Sequence, residues 1–223
     1  MKIGFLCALK LEALTLKNLP KKILGKHEYQ VAVSGMGLDN SKEAASKLVE
    51  ANCDLIISWG FAGGMSPSLK TGDLIVSTSQ LNQTQKYAST MKSSNLLIKA
   101  FDKYDPKIGA VYSSNDVIDS PHRKKELYVR HGTIAADMES ISIAKVASEN
   151  NISFSNIRVI LDDSTTQLPQ FVLNTSENQG KIHTRKLAIN IVKQPYQLYN
   201  FFKISTLFFK SWKNLARAAR ALC

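Results

Sequence analysis

Three carboxylates stand where the chain leaves an apolar run for a turn: Glu12, Glu139 and Asp162. Asp162 ends the run Arg158-Val159-Ile160-Leu161 and is followed at once by Asp163. Burial at a strand end and a neighbouring carboxylate both raise a carboxyl pKa. Asp162 could therefore hold a proton near neutral pH and give it to a leaving group. Glu12 follows the first apolar run and Glu139 opens a helical pattern, and both suit the positive end of a helix. Two glycine clusters share this placement, Ser34-Gly35-Met36-Gly37 and Gly60-Phe61-Ala62-Gly63-Gly64. Glycine permits positive φ and lets backbone N–H groups approach an anion or a ribose, although a plain tight turn uses the same residues. Neither cluster has the lysine or the spacing of a Walker loop or a dinucleotide fingerprint. His27, His122, His131 and His183 show no ligand spacing and no Ser/Asp or Cys partner, so metal and Ser–His–Asp mechanisms gain no support. Cys7, Cys53 and Cys223 are too few and too scattered for a disulfide framework or a metal site.

The elements that must position these groups alternate two periods over residues 1–165. Strands are expected at Lys2–Leu9, Tyr29–Ser34, Asp54–Trp59, Asp73–Ser79, Lys107–Ser113, Thr133–Asp137 and Asn156–Leu161. Several are apolar on both faces, as strands covered on two sides must be. Helices are expected at Leu11–Leu19, Ser41–Ala51, Asn95–Tyr104, Pro121–His131 and Glu139–Asn150. This alternation predicts an α/β fold, a single α/β/α sandwich around a mixed, largely parallel sheet. In such sheets ligands gather at the carboxyl ends of strands, which is where the carboxylates and glycines fall.

The chain has 223 residues, 44% of them hydrophobic and 21% charged, enough apolar mass for one full core. No run approaches the length of a membrane span, and the start Met1–Leu9 reads as a strand instead of a signal peptide. A reduced, cytoplasmic setting is the expectation. The net charge of +11 is local: nine basic residues and no acidic ones follow Glu177, which leaves +2 for everything before. From Pro195 the chain is written as an amphipathic helix. Leu198, Phe201, Phe202, Phe208, Phe209, Trp212, Leu215, Ala216, Ala219 and Leu222 recur at three- and four-residue steps, opposite Lys203, Lys210, Lys213, Arg217 and Arg220. Aromatics facing lysines and arginines fit a helix lying in an anionic membrane interface; packing on the domain or a dimer contact are the other readings. A single aromatic stripe makes no base-stacking platform, so nucleic acid is not expected.

Together these residues resemble the nucleoside phosphorylase/nucleosidase superfamily, in its methylthioadenosine/S-adenosylhomocysteine nucleosidase branch, over about residues 1–165. The start Lys2-Ile3-Gly4…Glu12 resembles that family's first strand and catalytic glutamate. Ser34-Gly35-Met36-Gly37 stands at its Gly-Ile-Gly turn. Gly60-Phe61-Ala62-Gly63-Gly64-Met65 with Gly72-Asp73 resembles its Ala-Gly-Gly-Leu…Gly-Asp signature, Asp137-Met138-Glu139-Ser140 its Met-Glu ribose motif, and Arg158–Asp162 the strand ending in its catalytic aspartate. The resemblance implies cleavage of an adenine nucleoside. Asp162 would protonate purine N7, Glu12 would activate water, and Glu139 would hold the ribose hydroxyls with Met138 against the sugar. Ala62, Gly63, Gly64 and Gly35 would lie against the substrate. Val117 and Ile118 stand where the family places an adenine-stacking aromatic, and Phe61 replaces a small polar residue; both departures suggest a pocket shaped for a more apolar 5′ group. No cofactor or metal is implied, phosphate being the one possible co-substrate, and homodimers or higher oligomers are usual.

The tail sharpens this resemblance. Its Pro-x-x-Leu…Arg-x-Ala-x-x-Leu character is similar to the hopanoid-associated phosphorylase branch, which implies adenosylhopane as substrate and adenine with ribosylhopane or phosphoribosylhopane as products. The expected organisation is a catalytic domain over 1–165, a connecting loop and short helix over 166–194, and a membrane-associating helix over 195–223. The expected location is the cytoplasmic inner face of the membrane, peripherally attached.

Overall fold

The computed structural model describes residues 1–169 and 196–223, with only the backbone at 196–201 and 203. The expected loop and short helix of 166–194 fall outside the described residues beyond Pro169. Among the described residues nine strands form one sheet: β1 (Lys2–Cys7), β2 (Lys22–Ile23), β3 (His27–Val33), β4 (Leu55–Gly64), β5 (Leu74–Leu81), β6 (Lys86–Ala88), β7 (Lys107–Ser113), β8 (Ala135–Asp137) and β9 (Ser153–Asp162). The spatial order is β2-β3-β1-β4-β8-β7-β5-β6, with β9 bonded to both β4 and β5. Strands β4, β8, β7, β5 and β9 therefore close on one another in a ring. The sheet is mixed: β1 runs parallel to β3 and β4, β9 parallel to β4, and β7 parallel to β5 and β8, whereas β8 opposes β4 and β9 opposes β5.

Helices cover both faces. α2 (Leu38–Glu50) and α5 (Ser140–Glu149) bury Ala44, Ala45, Leu48, Ile143 and Ala147 against Leu6, Ile56 and Phe154. On the other face Phe5, Trp59 and Phe101 meet at ring distances of 5.8 and 6.5 Å beneath α3 (Met91–Ala100). α1 (Lys10–Ala13) is a single turn that tightens into a 3₁₀ turn at Leu14–Leu16, shorter than the helix expected to Leu19. α4 (Pro121–His131) has the predicted bounds, started by Ser120 and Pro121 and stopped by Gly132 at φ 65°.

Two expectations change. Gly60–Gly64 does not form a turn after β4 but continues the strand, with Gly63 opposite Ala136 and Gly64 opposite Ala135. The small residues on both strands let the antiparallel partner in. The second change concerns α6 (Tyr196–Arg220), which is no appendage beyond a boundary at residue 165. Its Leu215, Ala218 and Ala219, with Leu222 just beyond, are fully buried in the cluster that holds Trp59, Leu74 and Val159. Ser211 Oγ donates to the Ile160 carbonyl at 2.7 Å, Trp212 Nε1 to the Leu11 carbonyl at 2.9 Å and Asn214 Nδ2 to the Gly72 carbonyl at 3.0 Å. One face of the helix is core, and the opposite face is exposed at Phe209, Lys213, Arg217 and Arg220.

Candidate active site

A cavity of about 320 Å³ opens where β1, β3, β4, β7, β8 and β9 end. Glu12, Asp137, Glu139 and Asp162 line it, with Asp116 exposed among the lining residues. The rest is largely apolar: Leu9, Met36, Phe61, Met65, Val117, Ile118, Leu161 and Leu168, with Ile204 and Phe208 supplied by α6. Phe61 and Phe208 touch at a ring distance of 5.3 Å. Ala62, Gly63 and Met138 are also on the wall.

Glu12 is buried at 3% exposure because α1 folds back over the end of β1. Its Oε2 accepts the Leu9 N–H at 2.8 Å and its Oε1 the Phe61 N–H at 2.9 Å. Gly60 makes room for it, since a Cβ there would lie 2.2 Å from Oε1. Burial raises the Glu12 pKa, opposed by the Arg158 guanidinium. Gly35 and Gly37 adopt φ values of 86° and 94°, and the Gly37 N–H reaches Glu139 Oε1 at 3.2 Å. The Met138 N–H approaches Glu139 Oε2 at the same distance. Burial and the adjacent Asp137 push Glu139 up to about 7 against the pull of Arg158. Asp162 is 4% exposed. Gly63 leaves the space beside its carboxyl open, a Cβ there standing 3.6 Å from both oxygens. Burial raises the Asp162 pKa, and the neighbouring Lys124 opposes that rise.

The structure thus brings Glu12, Met138, Glu139, Asp162, Ala62, Gly63, Val117 and Ile118 to one cavity. It does not bring Gly35 or Gly64 to the wall. Gly35 instead donates to the Ala8 carbonyl at 3.1 Å and turns Met36 inward, while Gly64 backs the Asp162 carbonyl, where a Cβ would stand 3.3 Å away.

Two charged groups escaped the sequence reading. Arg158 lies fully within the sheet, its Nε and Nη2 both 2.9 Å from Asp137 Oδ2, with Nη2 also donating to Ser58 Oγ at 2.8 Å. Asp137 accepts Ser113 and Ser140 hydroxyls on its other oxygen at 2.7 and 2.9 Å. This network fixes the β8 end from which Met138 and Glu139 project. An arginine inside Ile157-Arg158-Val159 was itself a signal, because an unpaired charge is not kept in a core strand. Lys124 sent no such signal: it is fully buried, yet it sits in the run His122-Arg123-Lys124-Lys125-Glu126 whose other members are exposed.

The phosphorylase superfamily matches residues 17–189, and the chain belongs to it. Among curated relatives, a DeoD-type purine nucleoside phosphorylase of Thermoanaerobacter sp. strain X514 is 24% identical over 60% of this chain and 63% of its own, slightly under two thirds of that protein's length. A 5′-methylthioadenosine/S-adenosylhomocysteine nucleosidase of Shewanella piezotolerans is 25% identical over 77% of this chain and 84% of its own. The fold is shared with futalosine hydrolase of Helicobacter pylori, at a TM-score of 0.73 and 17% identity over 99% of this chain and 96% of that one. It is shared equally with the methylthioadenosine/S-adenosylhomocysteine nucleosidase of Neisseria meningitidis solved with methylthio-immucillin-A, at a TM-score of 0.74 and 16% identity over 99% and 97% of the two chains.

Proposed function

We propose that this protein cleaves the N-glycosidic bond of an adenine nucleoside, with water as nucleophile, and that its substrate is adenosylhopane, released as adenine and ribosylhopane. The observation that carries the cleavage reaction is the meeting of Glu12, Glu139 and Asp162 in one largely apolar cavity. Breaking the bond between N9 and C1′ drives the sugar toward an oxocarbenium cation while the base departs as a poor anion. Asp162, as the acid, protonates N7 and turns that anion into neutral adenine. Glu139 accepts the ribose 2′- and 3′-hydroxyls, and Glu12, held by two backbone N–H groups, takes the proton of the attacking water. Relatives that carry nucleosidase and nucleoside phosphorylase names support the same reaction class.

Water is favoured over phosphate by charge. A phosphate dianion wants an arginine or an unpaired cation beside the sugar. Among the described residues the only cationic side chain on the wall is Lys124, which is already paired with Asp162.

The apolar wall supports a substrate with a greasy 5′ group. At about 320 Å³ the cavity is at the lower end of ligand pockets, so a polycyclic hydrocarbon must lie outside it. The outer face of α6 offers a place: Phe202 and Phe209 are 60% and 65% exposed, among exposed Lys210, Lys213, Arg217 and Arg220. Leu11 and Leu14 lie exposed nearby, Leu11 being joined to α6 through Trp212. This face suits peripheral contact with an anionic bilayer; no helix among the described residues is long and apolar enough to cross one. The relatives favour a second reading, in which the substrate is a small nucleoside such as methylthioadenosine. The test incubates the protein with adenosylhopane in vesicles and with methylthioadenosine, each with and without phosphate, and weighs the products. Adenine and ribosylhopane without phosphate are expected. Turnover of methylthioadenosine alone moves the small-nucleoside reading ahead, a sugar 1-phosphate formed only with phosphate overturns hydrolysis, and an active Asp162→Asn variant overturns the site.

A further inference from the structure

We propose that Lys124 is the positioning residue of the acid: its ammonium group fixes one oxygen of Asp162 and neutralises the charge that appears there as the proton leaves for the base. The inference rests on the reading of Asp162 as the proton donor.

The geometry is specific. Lys124 is fully buried in the first turns of α4, and its Nζ forms an ion pair with Asp162 Oδ2. The same nitrogen donates to the Asp163 carbonyl at 2.7 Å and the Thr166 carbonyl at 3.0 Å. An ammonium has three donors and no acceptor, and here all three have a partner. The group is thereby locked, and Oδ2 with it. Among the described residues no side chain donates to Oδ1, and the space beside the carboxyl is kept open by Gly63. Oδ1 is then the oxygen that faces a ligand.

The proton balance follows. In the loaded state Oδ1 carries the proton and Oδ2 accepts from Lys124. As the C1′–N9 bond breaks, its electron pair stays with the purine and the Oδ1 proton passes to N7. Asp162 becomes a carboxylate beside an ammonium that has kept all its protons, and a proton from solvent reloads it after adenine leaves. A buried carboxylate without a counter-ion would be a costly product of that transfer. Burial alone keeps the proton on, and Lys124 makes it possible to let go; the opposed effects of burial and Lys124 on the Asp162 pKa express this balance. The charged groups that reach Asp162 are Lys124 and the adjacent Asp163. Asp116, Asp137, Glu12 and Glu139 share the cavity, and Arg123 on α4 turns away to Asp119 at 3.7 Å.

The test measures kcat/KM against pH for Lys124→Met and Lys124→Arg, using an adenine nucleoside and 4-nitrophenyl riboside, whose leaving group needs no proton. For the nucleoside, Lys124→Met should lose about tenfold or more. Its alkaline limb should move up by about one pH unit or more, because an opposite charge that lowered the carboxyl pKa has gone. Lys124→Arg should keep the limb in place, and neither change should matter for the nitrophenyl riboside. A limb that stays put in folded Lys124→Met, or equal losses on both substrates, overturns the proposal. If Lys124→Met does not fold, the pair Asp162→Asn and Lys124→Met/Asp162→Asn decides, since the double variant buries no lone charge. Their residual rates should be equal, and a further tenfold loss in the double variant shows that Lys124 does not act through Asp162. An active Asp162→Asn enzyme refutes the acid itself, a different result from a Lys124 variant that leaves the limb unmoved.

Discussion

The inner face of α6 makes a quantitative prediction that separates a structural helix from a detachable tail. Leu215 has no exposed surface and packs in the cluster of Trp59, Leu74, Val76 and Val159. Leu215→Ala removes three heavy atoms from a site closed by β-strands on one side and by the helix itself on the other, so the void cannot collapse fully. Substitutions of this kind cost about 2–5 kcal/mol. At about 3 kcal/mol the melting temperature of a chain this size should fall by about 6–12 °C. Phe209→Ala, on the same helix but 65% exposed, should stay within about 0.5 kcal/mol of the parent. Urea unfolding followed by tryptophan fluorescence reads both, since Trp59 lies in the affected cluster and Trp212 on the helix. Equal midpoints for Leu215→Ala and the parent would refute the placement of α6 in the core and return it to the status of an appendage. Removal of residues 195–223 should accordingly unfold the domain, which makes deletion a poor probe of membrane binding.

Membrane contact is tested instead by Phe209→Ala with Lys213→Glu and Arg217→Glu: each exposed basic residue near an anionic surface contributes about 1 kcal/mol, so sedimentation with anionic liposomes should be lost while turnover of dissolved methylthioadenosine is kept. If the parent does not sediment, the outer face of α6 is not a lipid surface. Gly60→Ala should lower turnover by about 10²-fold, because a Cβ 2.2 Å from Glu12 Oε1 must displace that carboxylate; wild-type turnover in this variant would show that Glu12 is not the base. Glu139, raised from 4.5 to about 7, binds a proton in the fold that the unfolded chain has already released between those values. Its contribution to stability is complete below about pH 4.5 and is lost as pH rises through about 7. Glu139→Gln should flatten that part of the stability profile relative to the parent and weaken ribose binding, and an unchanged slope refutes the shift.

The sheet and its helices were legible because alternation of apolar runs and amphipathic segments is a property of the backbone's two periods. Pro121 and Gly132 marked α4 to the residue. The short strands β2 and β6 were not legible: Lys22-Ile23 and Lys86-Tyr87-Ala88 exist only because a neighbouring strand pairs with them. Gly60–Gly64 read as a turn because glycine weakens a strand, and what holds it extended is pairing with the distant Arg158–Asp162 of β9 on one side and Ala135-Ala136 on the other. Glu12, Glu139 and Asp162 could be found because each follows an apolar run. Lys124 could not, since its burial depends on the loop at Asp163–Thr166 folding over it.

The tail is only half legible in sequence for the same reason. A helix with aromatics at i, i+3 and i+4 shows one stripe in sequence, but the fold divides that stripe between three surroundings. Leu215, Ala219 and Leu222 enter the core, Phe208 closes the cavity against Phe61, and Phe202 and Phe209 point outward. These three positions lie on one rigid element, so the cavity wall, the core and the outer face cannot move independently. A substrate head held in the cavity walled by Phe61 and Phe208 therefore sits at a fixed offset from the exposed aromatics and the lysines around them. If the outer face rests on a bilayer, α6 sets how far a nucleoside must rise from the membrane to reach Glu12 and Asp162. On the proposed reading that offset suits a lipid-borne substrate, and setting it against a dissolved one in the same assay reads the effect of the offset directly.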